Sequence, residues 1–413
     1  MPHPFIRALR RFVYTEGGKR SHTAEESVGI DGAPVPFFVN EFWTSRQRQA
    51  HSLHEVSYRA CFKPQLPRFF IERLTAPGDV VYDPFSGRGT TVLEAALAGR
   101  RIIANDVNPL SRLLSRPRIE APSYQAVAER LESIPYRRGL RPDIPLSMFF
   151  HRDTLAEILS LRAYLRSRHR TGREDAADRW IRMVATNRLT GHSSGFFSVY
   201  TLPPNQAVSP QRQRLINRSG GRRPEYRDTK RIILKKSRLL LKELMKEEAA
   251  ALRRTARYAR FLTGDARRTE AIPRSSVRLT VTSPPFLDIV QYAQDNWLRC
   301  WFNGIDAEEV GRTITMSRTV EEWNGVMGEV FRELYRITRR EGWVVFEVGE
   351  VRNGTVRLEE EVVRLGRNAG FVCEGVMINR QRFTKTANIW GVRNNRHGTN
   401  SNRIVLFRKG GNP

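Results

Sequence analysis

"DVVYDPFSGRGTTVLEAALAGRRIIANDVNP", residues 79–109, is the stretch on which the reading of this chain turns. A turn signal at Pro77-Gly78 precedes the apolar run Val80–Tyr82, which predicts a short buried strand. "GTTVLEAALAG" then has helical spacing and stops at Gly99, and "RRIIANDVNP" reads as the next strand. Strand, glycine turn, helix and strand make a β-α-β unit with a right-handed crossover. Gly87 and Gly89 fall where the chain must turn sharply, and glycine there permits positive φ and close approach of a ligand to the backbone. Asp106 ends the second strand, at the sequence distance expected of a carboxylate that holds ribose hydroxyls in such units.

Two common ligands fit this turn poorly. No Gly-Lys-Ser/Thr follows, so it is not a phosphate loop, and Asp83 in the turn would repel the pyrophosphate of a dinucleotide. A carboxylate at Asp83 can instead face the ammonium of a zwitterionic ligand such as S-adenosylmethionine.

The α/β pattern breaks after Pro109 and resumes near residue 260. "RFLTGDAR" and "VRLTVTSPPF" read as strands, 319–338 as a helix, "GWVVFEVGEV" as a strand, and 358–369 as a helix. "GFVCEGVMINRQRF" and "NRIVLFRK" close the chain as strands. The segments predict four parts. Residues 1–41 form an N-terminal arm that wraps or frays, and 42–110 the first half of an α/β domain. Residues 111–260 form a basic, mainly helical insertion, and 261–413 the second half.

Charge points to the partner. The 413 residues carry a formal +27, and residues 111–260 alone hold 33 Lys and Arg against 14 Asp and Glu. Arginine dominates, and its planar fork suits phosphates and base edges. The three cysteines, Cys61, Cys300 and Cys373, form no CxxC pair, which argues against a disulfide scaffold or a cysteine-rich zinc site. His51 and His54 are one helical turn apart but lack a third ligand nearby, so no metal is expected. No apolar run has transmembrane length and the N-terminus lacks signal-peptide features, so the expectation is a soluble, cytoplasmic, prokaryotic protein.

A second motif lies at 282–286, "TSPPF". Two consecutive prolines remove two backbone donors and leave carbonyls free to accept. An exocyclic base amine is a weak nucleophile because its lone pair is delocalised into the ring. Acceptors at Ser283 and the Pro284 carbonyl can localise that lone pair, Pro285 stiffens the corner, and Phe286 offers a face on which an extruded base stacks.

The pair of motifs resembles those of the amino-type DNA methyltransferases, which modify cytosine N4 or adenine N6. "DPFSGRGTT" is similar to their motif I, and "TSPPF" to motif IV in the serine form associated with cytosine-N4 members. The resemblance implies a Rossmann-like S-adenosylmethionine-dependent methyltransferase fold. Its sheet would be mostly parallel and seven-stranded, with a C-terminal antiparallel hairpin. It implies S-adenosyl-L-methionine as cofactor, surrounded by Asp83, Pro84, Phe85, Gly87, Gly89 and Thr90, with Asp106 on the ribose. "ACFKPQLPRFF" resembles motif X, giving Phe62, Lys63 and Pro64, and "LTGDA" resembles motif III, placing Asp265 near the adenine amine. Asp265 also reads simply as a turn aspartate.

The expected reaction is methylation of cytosine N4 in a specific double-stranded DNA sequence, in partnership with a restriction endonuclease or alone. Adenine-N6 methylation, RNA guanine-N2 methylation and a catalytically dead DNA-binding protein are the alternatives. The insertion is the expected target-recognition region. There Asn187, Arg188, His192, Ser193 and Phe197 are base-contact candidates, and Arg212, Arg214, Arg222 and Arg223 are phosphate candidates.

Overall fold

The computed structural model describes residues 2–16, 18–43, 50–58, 61–202, 207–285, 292–314, 317, 319–348, 357–380 and 401–410. The chain opens with α1 (Pro4–Arg10), the hairpin β1 (Val13–Glu16) and β2 (Lys19–His22), then β3 (Ala24–Ile30) and β4 (Ala33–Asn40). Helix α2 (Gln65–Leu74) leads into β5 (Val80–Asp83), α3 (Thr90–Leu97) and β6 (Arg101–Asp106), the predicted β-α-β unit. Seven helices follow: α4 (Leu110–Ile119), α5 (Tyr124–Ser133), α6 (Arg152–Arg170), α7 (Ala176–Arg188), α8 (Pro210–Ser219), α9 (Thr229–Leu241) and α10 (Lys246–Ala256). Then come β7 (Arg260–Thr263), β8 (Val277–Thr282), α11 (Tyr292–Asn303), α12 (Ala307–Thr313) and α13 (Val320–Ile337). The chain closes with β9 (Thr338–Val348), α14 (Leu358–Asn368), β10 (Val372–Arg380) and β11 (Ser401–Arg408).

One nine-stranded sheet runs in the order β3-β4-β10-β11-β9-β8-β5-β6-β7. Strands β9, β8, β5, β6 and β7 are parallel, and β11 enters antiparallel between β9 and β10. These seven strands are the expected sheet with its closing antiparallel hairpin. Two more strands extend it: β4 pairs parallel with β10, placing Phe38 opposite Met377, and β3 pairs antiparallel with β4. The N-terminal segment is therefore part of the sheet and does not fray. Its α1 buries Phe5, Ile6 and Leu9, with the Phe5 ring edge-on to Trp343 at 5.5 Å. Every other residue of a strand faces the same way, so the sheet has two apolar faces. Val81, Leu279, Val281, Trp343 and Val345 face α2, α3 and the inserted helices. Tyr82, Val344, Phe346 and Phe407 face α13 and α14.

The insertion shares the first of these cores. Leu114, Val127, Phe149, Ile158 and Trp180 belong to the same buried cluster as Val81 and Leu279, and α4 and α10 both pack on α3. Trp180 is fully buried and its Nε1–H donates to Ser237 Oγ at 2.9 Å, locking α7 to α9. Topologically the segment replaces the single crossover helix between parallel strands β6 and β7.

Candidate active site

The parallel strands present their C-terminal ends at one edge, where ligands of open α/β sheets bind. Asp83 ends β5, Asp106 ends the neighbouring β6, and Thr282 ends β8 on the other side of β5 with Ser283 directly after it. Adjacent strands lie about 4.8 Å apart, so Ser283 and Asp106 are separated by roughly 10 Å along this edge. Two side chains bind the motifs together across nearly 200 residues. Thr282 Oγ1 donates to Asp83 Oδ1 at 2.7 Å, and Thr91 Oγ1 donates to the Val281 carbonyl at 3.1 Å.

Asp106 shapes the glycine turn. Its Oδ2 accepts the Gly87 N–H at 2.8 Å and its Oδ1 accepts the Asn108 N–H at 2.9 Å. Burial raises its pKa to about 6, against the pull of those two N–H groups. Asp106 as a whole residue is only partly buried, and each carboxylate oxygen keeps a further lone pair. This pair of acceptors fits the two hydroxyls of a ribose diol. Gly87 has φ +50°, and a Cβ there would lie 3.5 Å from the Tyr58 ring. Gly89 has φ +77°, and a Cβ would stand 2.5 Å from Ser115 Cβ on α4. Gly89 is thus required by the packing of α4 on the turn, a different reason from ligand approach. Asp83 is also placed differently from an open ligand contact. It is 1% exposed, bonded to Thr282 and the Phe85 N–H, and burial pushes its pKa up to about 7. The carboxyl fastens β5 to β8 beneath the turn; Pro84 and Thr90 are buried, while Phe85 is partly exposed.

At the second motif, Ser283 continues the face of Leu279 and Val281, and Glu347 on β9 continues the face of Trp343 and Val345. Ser283 adjoins the Glu347 carboxyl and favours its ionised form, against the effect of burial. Glu347 is buried, its Oε1 accepts Asn402 Nδ2–H at 3.0 Å, and burial raises its pKa. Glu347 was hidden in the sequence inside the apolar run "WVVFEVGEV". A charge within a buried strand was the available signal. The Pro285 carbonyl accepts the Trp323 Nε1–H at 3.1 Å, which pins the corner to α13. Among the described residues nothing donates to the Pro284 carbonyl. Phe286 lies outside the described residues.

The flanking segment 50–58 crosses above the turn. Arg88 donates to the His54 and Val56 carbonyls, each at 3.1 Å. His54 is buried with Nε2 2.6 Å from Glu94 Oε1. Burial lowers the histidine pKa to about 4 and Glu94 stays ionised, so a neutral imidazole donates to a carboxylate. Arg68 holds the other Glu94 oxygen at 2.6 Å. This pair is structural, and no metal-ligand cluster occurs among the described residues.

The remaining predicted residues separate. Pro64 caps α2, with Phe62 and Lys63 half-buried beside it. Asp265 is exposed; it accepts the Arg267 N–H at 2.8 Å and pairs with the Arg267 guanidinium at 2.6 Å, which is the turn geometry. Asn187 is 3% exposed and its Oδ1 accepts the Ser57 N–H at 2.7 Å, so it belongs to the interior and not to a base-reading surface. Phe197 is likewise fully buried. Arg188 is half-buried, its guanidinium 4.0 Å over the Phe196 ring. His192, Ser193, Arg212, Arg214, Arg222 and Arg223 are exposed, with Arg222 stacked 3.8 Å over Tyr200.

Comparison with known proteins bears on the first half of this site. Residues 23–110 match the family model described as DNA methylase, of the N6/N4 type. The type II methyltransferase M.MjaII of Methanocaldococcus jannaschii is 30% identical over 86 residues, 21% of this chain and 16% of that protein. M.MvaI of Kocuria varians is 34% identical over 76 residues, 18% of this chain and 16% of that protein. The matched stretch thus spans about a sixth of either relative. A solved structure from Thermus thermophilus, described as a candidate DNA modification methylase with S-adenosyl-L-methionine, is 23% identical. It covers 36% of this chain and 55% of its own, with a TM-score of 0.23.

Proposed function

We propose that this chain, whose residues 23–110 match the amino-type N6/N4 DNA methylase model, uses S-adenosyl-L-methionine to methylate the N4 amine of cytosine in double-stranded DNA. The supporting observation is the end of β8. Ser283 stands there beside the glycine turn, where it favours the ionised form of the buried Glu347, and the neighbouring Pro284 carbonyl is unbonded among the described residues.

When bound, the cofactor supplies an electrophilic methyl group. The chain's part is to make the amine nucleophilic. With Glu347 ionised, the Ser283 hydroxyl donates to it and keeps its oxygen lone pairs for the amine N–H. The Pro284 carbonyl takes the second N–H. Held by two acceptors, the nitrogen pyramidalises and directs its lone pair at the methyl carbon. The bound cofactor would give up its methyl group with the carbon–sulfur electron pair leaving on sulfur, and the proton displaced from the amine would pass to water at the corner. Asp106 would hold the ribose, with Gly87, Phe85 and the 62–64 segment along the methionine part. The base must leave the duplex to reach this corner. Serine in place of aspartate at the corner favours cytosine.

The test is transfer of labelled methyl from S-adenosyl-L-methionine to unmethylated genomic DNA, followed by digestion to nucleosides. N4-methylcytosine is the expected product. N6-methyladenine, or label in RNA alone, overturns the cytosine assignment.

A further inference from the structure

A cleft of about 820 Å³ opens beside the cofactor half of the sheet edge, between α4, the 134–146 segment, α6, α7 and the end of α11. Its lining holds nine arginines and, among the described residues, one acidic residue, Glu174. Four of the arginines are already held by carboxylates. Arg116 and Arg179 share Glu120, each at 2.7 Å, Arg182 pairs with Glu174 at 2.6 Å, and Arg162 reaches Asp143 at 3.4 Å. The other five, Arg112, Arg137, Arg141, Arg166 and Arg170, are exposed, and among the described residues no carboxylate pairs with them.

A run of charge along one helix is ordinarily a solvated face. Here the cations arrive from three separate segments and converge. Arg162, Arg166 and Arg170 recur every four residues, on one face of α6, over about 12 Å. Measured along the duplex axis, that length corresponds to roughly three to four phosphates of one strand. Arg166 lies over the Gly304 backbone, where a Cβ would stand 3.4 Å from its guanidinium carbon. Its charge acts against ionisation of both Arg162 and Arg182, on top of the effect of their burial. The cleft therefore gathers like charges with too few counter-charges, while Leu113, Leu140, Leu159 and Ile305 give it apolar walls. Thr263 at the end of β7 and Pro109 after β6 also line it, so it opens at the same sheet edge as the active site. It lies three strand spacings, about 14 Å, from Ser283.

We propose that this cleft grips the phosphodiester backbone of the DNA flanking the target base, a second anchorage distinct from the phosphate candidates Arg212, Arg214, Arg222 and Arg223 expected from sequence. The proposal rests on the DNA reading above. Small phosphates share the same chemistry, but unpaired guanidiniums spread over α4, the 134–146 segment and α6 suit a linear array of monoanions better than one compact polyanion.

The experiment measures binding of the full chain to a 30-base-pair duplex by fluorescence anisotropy from 50 to 300 mM salt. The variants are Arg166→Ala/Arg170→Ala and Arg112→Ala/Arg141→Ala. Each should lower affinity about tenfold or more and reduce the slope of log K against log salt by about two. Cofactor affinity and thermal midpoint should be unchanged, since all four side chains are exposed. Arg166→Lys/Arg170→Lys should recover most of the slope. Variants that keep the wild-type affinity and slope overturn the cleft and leave the methyl-transfer reading standing. Cleft-dependent DNA binding without any methyl transfer supports the cleft and sinks that reading instead. Inorganic tripolyphosphate displacing the duplex at equal affinity, or a stronger cleft dependence with RNA, also overturns the proposal.

Discussion

Ser283, Glu347 and Asp106 divide the predicted chemistry into separable measurements. Ser283→Ala removes one acceptor from the amine and should cut kcat by roughly 10²–10³, with cofactor affinity unchanged by calorimetry. Full activity in that variant would sink the two-acceptor corner. Glu347→Gln keeps a hydrogen-bonding partner for Ser283 and Asn402 but cannot ionise. Losing the charge-assisted bond should cost roughly 10- to 100-fold in kcat. The pH behaviour carries a definite sign. Glu347 acts while ionised and its pKa is raised, so kcat should be complete above that pKa and fall as pH drops through it. Glu347→Gln should lack this limb. Asp106 titrates near 6 by burial, and the ionised form is the one that accepts ribose hydroxyls. Cofactor affinity should therefore be full above about pH 7 and weaken below about 6, by up to tenfold per unit. Asp106→Asn should flatten that profile, as calorimetry at pH 5, 6 and 8 would show.

At the scale of single elements, the strand-turn-helix at 80–97 and the strand into 282 were legible because Pro, Gly and apolar runs marked both ends. The physical reason for Gly89 was not legible, since it lies in a helix 26 residues further on. Gly89→Ala combines a left-handed backbone with overlap against Ser115, and should destabilise the fold by at least about 2 kcal/mol. Adding Ser115→Gly should recover the overlap part and leave roughly 1 kcal/mol from the backbone. Equal melting temperatures for the single and double variants would contradict this account. Strand β3 escaped the reading because it is an edge strand, exposed along "AEES", with only Val28 and Ile30 at its end packed on the core. Asn187 and Arg188 were read as surface residues because their neighbours Thr190, His192 and Ser193 are polar. In fact α7 turns Asn187 into the core to hold the Ser57 N–H.

At the scale of the whole molecule, the seven-stranded sheet and the place of the insertion could be read from alternating segments. The shared core could not, because it joins residues distant in sequence. Removing residues 1–40 strips α1, β3 and β4 from that core and bares the edge of β10. The truncated chain should be insoluble or lack a cooperative melt, and a soluble truncation with the full melting temperature would contradict their integral place. One feature reaches further than its own neighbourhood. Helix α4 sets Ser115 against Gly89 on one side and turns Arg112 and Arg116 into the arginine cleft on another. A single rigid rod thus touches the cofactor turn and the cationic wall. Were cofactor and duplex binding coupled through this helix, linkage would require each to change the other's affinity by the same factor. Such an enzyme would load its two substrates as a thermodynamic pair, each holding the other in place.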